Sequence, residues 1–345
     1  MRASIFLATL GVVCATPATV LKCEAIPDYA LTYAPYTILY SGEGWWPSDI
    51  TTHLAHVTPK ASPLPICVRI AGLNLDFYRI DQVDSVAVAD SVTLATLNSI
   101  TADAFLTSND NVEDDPAWLT STDNKPDGTG LSRAPATIIV ADKGDFVDVF
   151  YFYFYSYNHG ITVLGTRLGN HVGDWEHSMV RFVNGAPTHV YLSAHSGGYA
   201  YTYDAVEKRG VRPVVYVADG SHANYATAGT QKYTIAGSLI EDHTDQGPFW
   251  DVALNYRGYW YNSGTYTAAG GAGAGGAEQA NEVVDWLYWG GHWGDAQLPD
   301  DDPRQNCIFD IECHYVDGPT GPNSKNLGRT AVCQDEDDCD IKDSI

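Results

Sequence analysis

The run from Asp145 to Tyr157 alternates two kinds of large side chain. Phe146, Phe150, Phe152 and Phe154 fall on one face of an extended chain, and Val147, Val149, Tyr151, Tyr153, Tyr155 and Tyr157 on the other. A strand that is apolar on both faces belongs in the middle of a packed sheet. The Phe face is expected to meet a core. The Tyr face is either a second core, with its hydroxyls paired, or the wall of a ligand groove. Trp175 to Phe182 predicts another strand, preceded by a tight turn at Gly173. Shorter strands are expected at Thr188–Ser193, Tyr199–Tyr203, Val214–Ala218 and Lys232–Ile235. Turn residues separate them at the short intervals of a sandwich or barrel.

Helical signals are sparse. Val83 to Ser99 fits a helix or a strand equally. Asn109 to Gly130 is polar, acidic and carries Pro and Gly, so a surface loop is expected. Ala268 to Ala277 is a Gly/Ala run that predicts a flexible loop. From Asp300 onward the chain is acidic and loop-rich. No internal repeat and no linker composition interrupts it. The expected fold is all-β: a single-domain, mainly antiparallel β-sandwich over residues 23–345, with long loops and a C-terminal tail stapled by disulfides.

Composition narrows the function. The chain has 345 residues, of which 45% are hydrophobic, enough for a sizeable core. Its net charge of −24 opposes binding to nucleic acid or, by charge alone, to an anionic membrane. Arg2 precedes the apolar run Ile5 to Val13, and Val13 and Ala15 suit a signal peptidase, so residues 1–15 read as a signal peptide. That cut removes Cys14 from the seven cysteines. The remaining even set reads as disulfides of an exported protein, with Cys23–Cys67 and two bridges within the tail as the expected pairing. No other apolar run approaches the length of a transmembrane span.

Candidate chemistry concentrates at Gly169-Asn170-His171-Val172-Gly173-Asp174-Trp175-Glu176-His177. Asp174 and Glu176 are two apart on a predicted strand and share a face. His171 can fold over them from the turn. One imidazole and two carboxylates in His-x-x-Asp-x-Glu spacing suit a divalent cation, with Ca, Mg, Mn and Zn not distinguished. Two acids on a strand also describe an ordinary solvated face. Further histidines sit at predicted strand ends: His195 before Gly197-Gly198, and His222 in Asp219-Gly220-Ser221-His222. Loops at the rim of a sandwich carry function, so His177, His195 and His222 are candidate acid–base groups, although each alone is commonly structural. Glu241-Asp242-His243-Thr244-Asp245 is a third polar turn, with Asp242 or Asp245 able to face Asp174 and Glu176 across a substrate. No Gly-x-Ser-x-Gly elbow, phosphate loop or dinucleotide fingerprint is present.

Several blocks carry a family resemblance. Pro135-Ala136-Thr137, Asp148 through Asn158, Gly169 through His177, Arg212-Pro213-Val214-Val215-Tyr216 and Gly220 through Tyr225 resemble the vacuolar protein sorting-associated protein 62 family. Trp46-Pro47-Ser48-Asp49 and Gly318-Pro319-Thr320-Gly321-Pro322 fit as well. The resemblance implies a link to delivery of proteins to the vacuole. More locally, His171-x-x-Asp174-x-Glu176 around Trp175 is similar to the heptapeptide of necrosis- and ethylene-inducing-like proteins. Those are secreted β-sandwich cytolysins that hold a divalent cation and bind membrane sphingolipid sugars. The similarity implies metal-ligand positions for His171, Asp174 and Glu176, and it departs at Gly173, where that motif has a second His.

The expected function is therefore that of a secretory-pathway protein, secreted or vacuolar, acting in vacuolar protein sorting with a divalent-metal site. One alternative is a metal-dependent enzyme acting on a glycan or small metabolite. Another is a secreted glycan-binding or cytolysin-like module. The partner is then a glycan, a metabolite or a protein cargo, with no nucleic acid and no transmembrane span after signal cleavage.

Overall fold

The computed structural model describes residues 13–16, 19–22, 24–61, 86–163, 165–233, 240–269, 283–308 and 312–345. In chain order, two sheets draw on β1 (Tyr36–Ile38), β2 (Ala136–Asp142), β3 (Val147–Asn158), β4 (His171–Val183), β5 (Ala186–Ala194) and β6 (Gly197–Thr202). They continue with β7 (Lys208–Arg209), β8 (Arg212–Val217), β9 (Asn224–Tyr225), β10 (Phe249–Asp251), β11 (Tyr256–Asn262), β12 (Thr265–Ala268) and β13 (Ile341–Lys342). The large sheet has eight strands in the order β12-β11-β2-β3-β4-β5-β6-β13. The small one has five, β7-β8-β1-β10 with β9 paired to β8. Most pairings are antiparallel; β11 with β2, β8 with β1 and β6 with β13 are parallel.

The alternation read from the sequence decides the layering. Val149, Tyr151, Tyr153 and Tyr155 of β3 pack with Val215 and Val217 of β8 and Trp250 of β10, so the Tyr face fills the space between the two sheets. Phe150, Phe152 and Phe154 point the other way, onto Trp175, Trp286, Trp289, Trp293 and Leu119. The sandwich is thus as expected, and a third layer of loops and short helices covers its outer face. Both faces of β3 are buried; from Asp148 to Asn158 no residue is exposed.

Local chemistry explains the connections. The β4–β5 hairpin turns on Asn184-Gly185, both at positive φ (+52° and +75°), the pair favoured for a tight primed turn. The region 109–130 is more ordered than a plain surface loop: Ala117–Thr120 forms a helical turn that buries Trp118 and Leu119. Of Val83–Ser99, residues 86–87 pair as a strand and Leu97–Ser99 form a single 3₁₀ turn. The expected strand at Lys232 is observed as Gly229–Tyr233. Residues 1–12 of the expected leader, the Cys23–Cys67 pairing and the Gly/Ala run from 270 to 277 lie outside the described residues.

The tail is held as expected, by Cys307–Cys313 and Cys333–Cys339. A buried ion cluster adds to them. Asp148 takes two hydrogen bonds from Arg181, at 2.7 and 2.8 Å, and one from Lys143 at 2.7 Å. Arg181 also donates to the carbonyls of Thr330 and Ala331, at 2.8 and 2.9 Å, which ties the tail to β4.

Two short helices, α1 (Asp28–Thr32) and α2 (Ile50–Leu54), flank the sheets. Asp49 caps α2 by accepting from the N–H groups of Thr51 and Thr52. His53 on α2 is fully buried, its Nε2 donating to the Trp293 carbonyl at 3.0 Å. Burial pulls its pKa from 6.5 down to about 3. The unfolded chain therefore takes up a proton that the folded chain refuses between those values, and stability is lost as pH falls through that window. The expected loss from this residue is about 1.4 kcal/mol per pH unit. In urea titrations, the stability difference between the wild type and His53→Gln should shrink by that amount per unit between about pH 6 and pH 4. A difference that stays constant with pH contradicts the assignment.

Candidate functional site

The antiparallel register of β3 and β4 sets Asp174 opposite Tyr155, Glu176 opposite Tyr153 and Ser178 opposite Tyr151. These residues therefore share the face that looks between the sheets. Trp175, His177 and Met179 alternate to the other face. His177 does not join the carboxylates: its ring packs near Phe152 and Tyr191, and neither nitrogen finds a partner among the described residues. Burial holds its pKa well below 6.5, so it is a neutral core residue on the far side of the sheet from the carboxylates, and not the expected acid–base group.

Asp174 and Glu176 are each only 4% exposed, so they are not a solvated face. Two buried acids need compensation, and His222 supplies part of it. Its Nδ1 donates to Asp174 Oδ2 at 2.9 Å and its Nε2 to the Trp45 carbonyl at 3.1 Å, with Glu43 Oε2 at 3.8 Å. Both ring nitrogens donate, which describes an imidazolium. Burial pulls its pKa down, but the bond to Asp174 and the charges of Glu43 and Asp174 outweigh that and leave it raised. The ring lies flat on Tyr155, 3.6 Å between centroids and 1° between planes. The Tyr155 hydroxyl has no hydrogen-bond partner among the described residues, and burial with the nearby Glu43 and Asp174 charges lifts its pKa well above 10.

Glu176 is held differently. One oxygen accepts from Ser193 Oγ and the other from the backbone N–H of His195 at 3.1 Å. Burial and the Asp174 charge push its pKa up to about 7, so near neutral pH it exchanges a proton readily. Beside it, His195 Nε2 bonds Asp242 Oδ2 at 2.8 Å, and Asp242 also accepts from Ser221 Oγ at 2.8 Å and Tyr225 OH at 2.6 Å. Burial lowers the His195 pKa, but the Asp242 bond together with the charges of Asp242, Glu176 and Asp174 outweighs it and leaves it raised. A histidine oriented by a buried carboxylate next to an acid of neutral pKa can move protons. His195 and His222 both sit at left-handed φ, +56° and +57°. That costs ~1–3 kcal/mol each for a non-glycine residue, and such strain gathers at functional sites.

His171 opens β4 instead of lying in a preceding turn. Its Nδ1 donates to the Gly173 carbonyl at 2.7 Å. Burial lowers its pKa, which leaves a neutral ring with the lone pair on Nε2. That is the tautomer of an imidazole ligand whose other nitrogen is anchored to main chain. The donor chemistry of His171, Asp174 and Glu176 thus suits a cation. Among the described residues, however, no three His, Cys, Asp or Glu side chains converge in a metal-binding arrangement. Gly173 serves close packing and not a turn: at φ +66°, a Cβ there would lie 2.3 Å from the Trp293 carbonyl oxygen.

Glu43 is the residue that sequence reasoning missed. Its carboxylate accepts from the N–H groups of Gly44, Trp45 and Gly220, at 2.9, 2.8 and 3.1 Å. The available signal was a lone acid between glycines ahead of Trp45-Trp46. The expected polar turn at residues 241–245 is instead mostly strand, Ile240–Thr244 paired with Gly229–Tyr233, and its Asp242 is the partner of His195.

The family model described as vacuolar protein sorting-associated protein 62 matches residues 138–257, the segment that carries β3, β4 and the site histidines. Across 334 residues the chain is 38% identical to TDA6 of Saccharomyces cerevisiae, a protein provisionally named as vacuolar protein sorting-associated, covering 89% of this chain and 68% of that protein. It is 35% identical over 332 residues to vacuolar protein sorting-associated protein 62 of the same yeast, covering 90% and 68%. The chain belongs to the vacuolar protein sorting-associated protein 62 family. Among solved structures, NLPPya in complex with mannosamine aligns at 12% identity over 81% of this chain and 84% of that one, with a TM-score of 0.29. Necrosis and ethylene inducing protein 2 from the agent of cocoa's witches' broom disease aligns at 12% identity over 59% and 69%, also with a TM-score of 0.29. Among the described residues no helix is long and apolar enough to cross a membrane.

The packing at Gly173 gives a direct check. Gly173→Ala should cost roughly 2–5 kcal/mol, from the left-handed backbone plus overpacking against Trp293. Gly169→Ala, also at positive φ but with open space around it, should cost only the ~1–2 kcal/mol of the backbone term. Equal losses in urea denaturation would show that the close approach of Trp293 does not matter.

Proposed function

We propose that this chain works in the secretory pathway, in vacuolar protein sorting, and that its rim site binds a divalent cation through His171, Asp174 and Glu176. The sorting role follows the names of its yeast relatives. The two disulfides of the tail suit an oxidising compartment. The metal reading rests chiefly on one observation: two desolvated carboxylates sit on one strand face beside an imidazole whose Nε2 lone pair is left open. A cation there would offset the burial and the Asp174 charge that together raise Glu176. Bound, it would supply a positive centre for the oxygen atoms of a glycan, a metabolite or a cargo protein. Asp174 would then be shared with His222, and His195 would stand ready to hold or release a proton beside the ligand.

The test uses purified full-length chain and cells that lack it. After chelation, Ca²⁺, Mg²⁺, Mn²⁺ and Zn²⁺ are titrated separately. At least one should bind at one ion per chain and stabilise the fold by about 2.7 kcal/mol at a hundred times its Kd. Asp174→Asn and Glu176→Gln should each weaken it at least tenfold. In cells, the wild-type gene should restore retention of a soluble vacuolar hydrolase and the double variant should not. Absence of binding, or binding unchanged in both variants, removes the metal site. Normal hydrolase retention in cells without the chain removes the sorting role.

A further inference from the structure

A cleft of about 750 Å³ opens beside the start of β4. His171 and Val172 form one wall, residues from 107 to 112 a second, and residues from 295 to 304 a third. Its charge is one-sided. Asp110, Asp295 and Asp302 line it, and Arg304 is the one lysine or arginine among the described lining residues. Arg304 is already engaged: it donates from Nε and Nη2 to the two oxygens of Asp302, at 3.0 and 2.8 Å. That pair cancels and leaves Asp110 and Asp295.

Asp295 has no direct ion pair among the described residues. One oxygen accepts from the Ser108 N–H at 3.2 Å. Burial pushes its pKa up to about 6, outweighing the Ser108 hydrogen bond and the charges of Lys60 and Arg304. Asp110 accepts from Trp118 Nε1 at 2.7 Å and otherwise faces the His56 ring at 3.7 Å. Apolar side chains also line the cleft, Val112, Val172, Leu298 and Val316, together with Tyr157.

A bare ion would meet only Asp110 and Asp295 here, since Asp302 is taken by Arg304. A ligand with a length of its own can meet them. We propose that the cleft binds an aliphatic ammonium group, its alkyl stem on Val112, Leu298 and Val316 and its ammonium against Asp295. The stem buries apolar surface, the ammonium neutralises a desolvated acid, and a tyrosine face adds attraction for a cation. The chain's charge of −24 draws such ligands toward it. The volume lies in the range of small-ligand pockets. The ammonium belongs either to a free polyamine or to a lysine side chain of a protein. Binding here does not require the metal site, although His171 stands at the boundary of both.

Calorimetric titration of the full chain with spermidine and with the peptide Gly-Lys-Gly separates these sources. At least one should bind at one site per chain. The N-acetylated, uncharged counterpart of that ligand should bind at least tenfold more weakly to the wild type, a comparison that needs no variant. Asp295→Asn should also weaken binding at least tenfold, whereas Asp335→Asn on the distant tail should leave it unchanged. The proposal fails if neither ligand binds at millimolar concentration, if acetylation has no effect, or if the two variants behave alike. Loss of metal binding in Asp174→Asn with amine binding retained would separate this cleft from the rim site.

Discussion

The burial of β4 between β3 and β5, with packed layers on both of its faces, is the constraint from which the site follows. A strand so placed has no solvated side. Any charged residue along it must find its compensation inside the protein. Asp174, Glu176 and Arg181 each do so by a different route. Arg181 pairs with Asp148 across the sheet and anchors the tail. Asp174 takes the His222 imidazolium, and Glu176 takes a hydroxyl and a backbone N–H and drifts toward the neutral form.

That division has a functional consequence. Compensation by hydroxyls and main chain is weaker than compensation by a full opposite charge. Glu176 is therefore the group at the rim whose charge state shifts most easily. The histidines around it are not placed by comfortable backbone. His195 stands at the first position of the tight turn between β5 and β6, where glycine is usual, and His222 also accepts a left-handed φ. The pairing energy with Asp242 and Asp174 holds them there. Outside this inner network lies the cleft with Asp295, so the end of the sandwich at which β4 begins carries two adjoining acidic regions of different depth.

Much of the architecture was legible from residue pattern. The Phe and Tyr alternation of β3 predicted a strand buried on both sides, and its two faces indeed enter two different cores. The short strands after it appear within a few residues of where turn residues placed them. The site was half legible. Asp174 and Glu176 share a face because alternation requires it, but the same alternation sends His177 away, and proximity in sequence had hidden that. Glu43 comes from more than a hundred residues upstream and reaches His222 only through folding, so local spacing held no trace of it. Gly173 looked like a turn residue, whereas its role is to admit the Trp293 carbonyl, a contact between distant segments. The three-layer arrangement was similarly hidden, because the tryptophans that cover the Phe face come from a segment without strand periodicity.

The central claim is that a buried charge pair, His222 with Asp174, holds the interior end of the rim site together. A double-mutant cycle with His222→Gln, Asp174→Asn and the combined variant measures that coupling directly in equilibrium unfolding at neutral pH. The account predicts a favourable coupling of about 2 kcal/mol or more, because removing either partner leaves the other charge stranded. A coupling below about 0.5 kcal/mol, with losses that simply add, would contradict it.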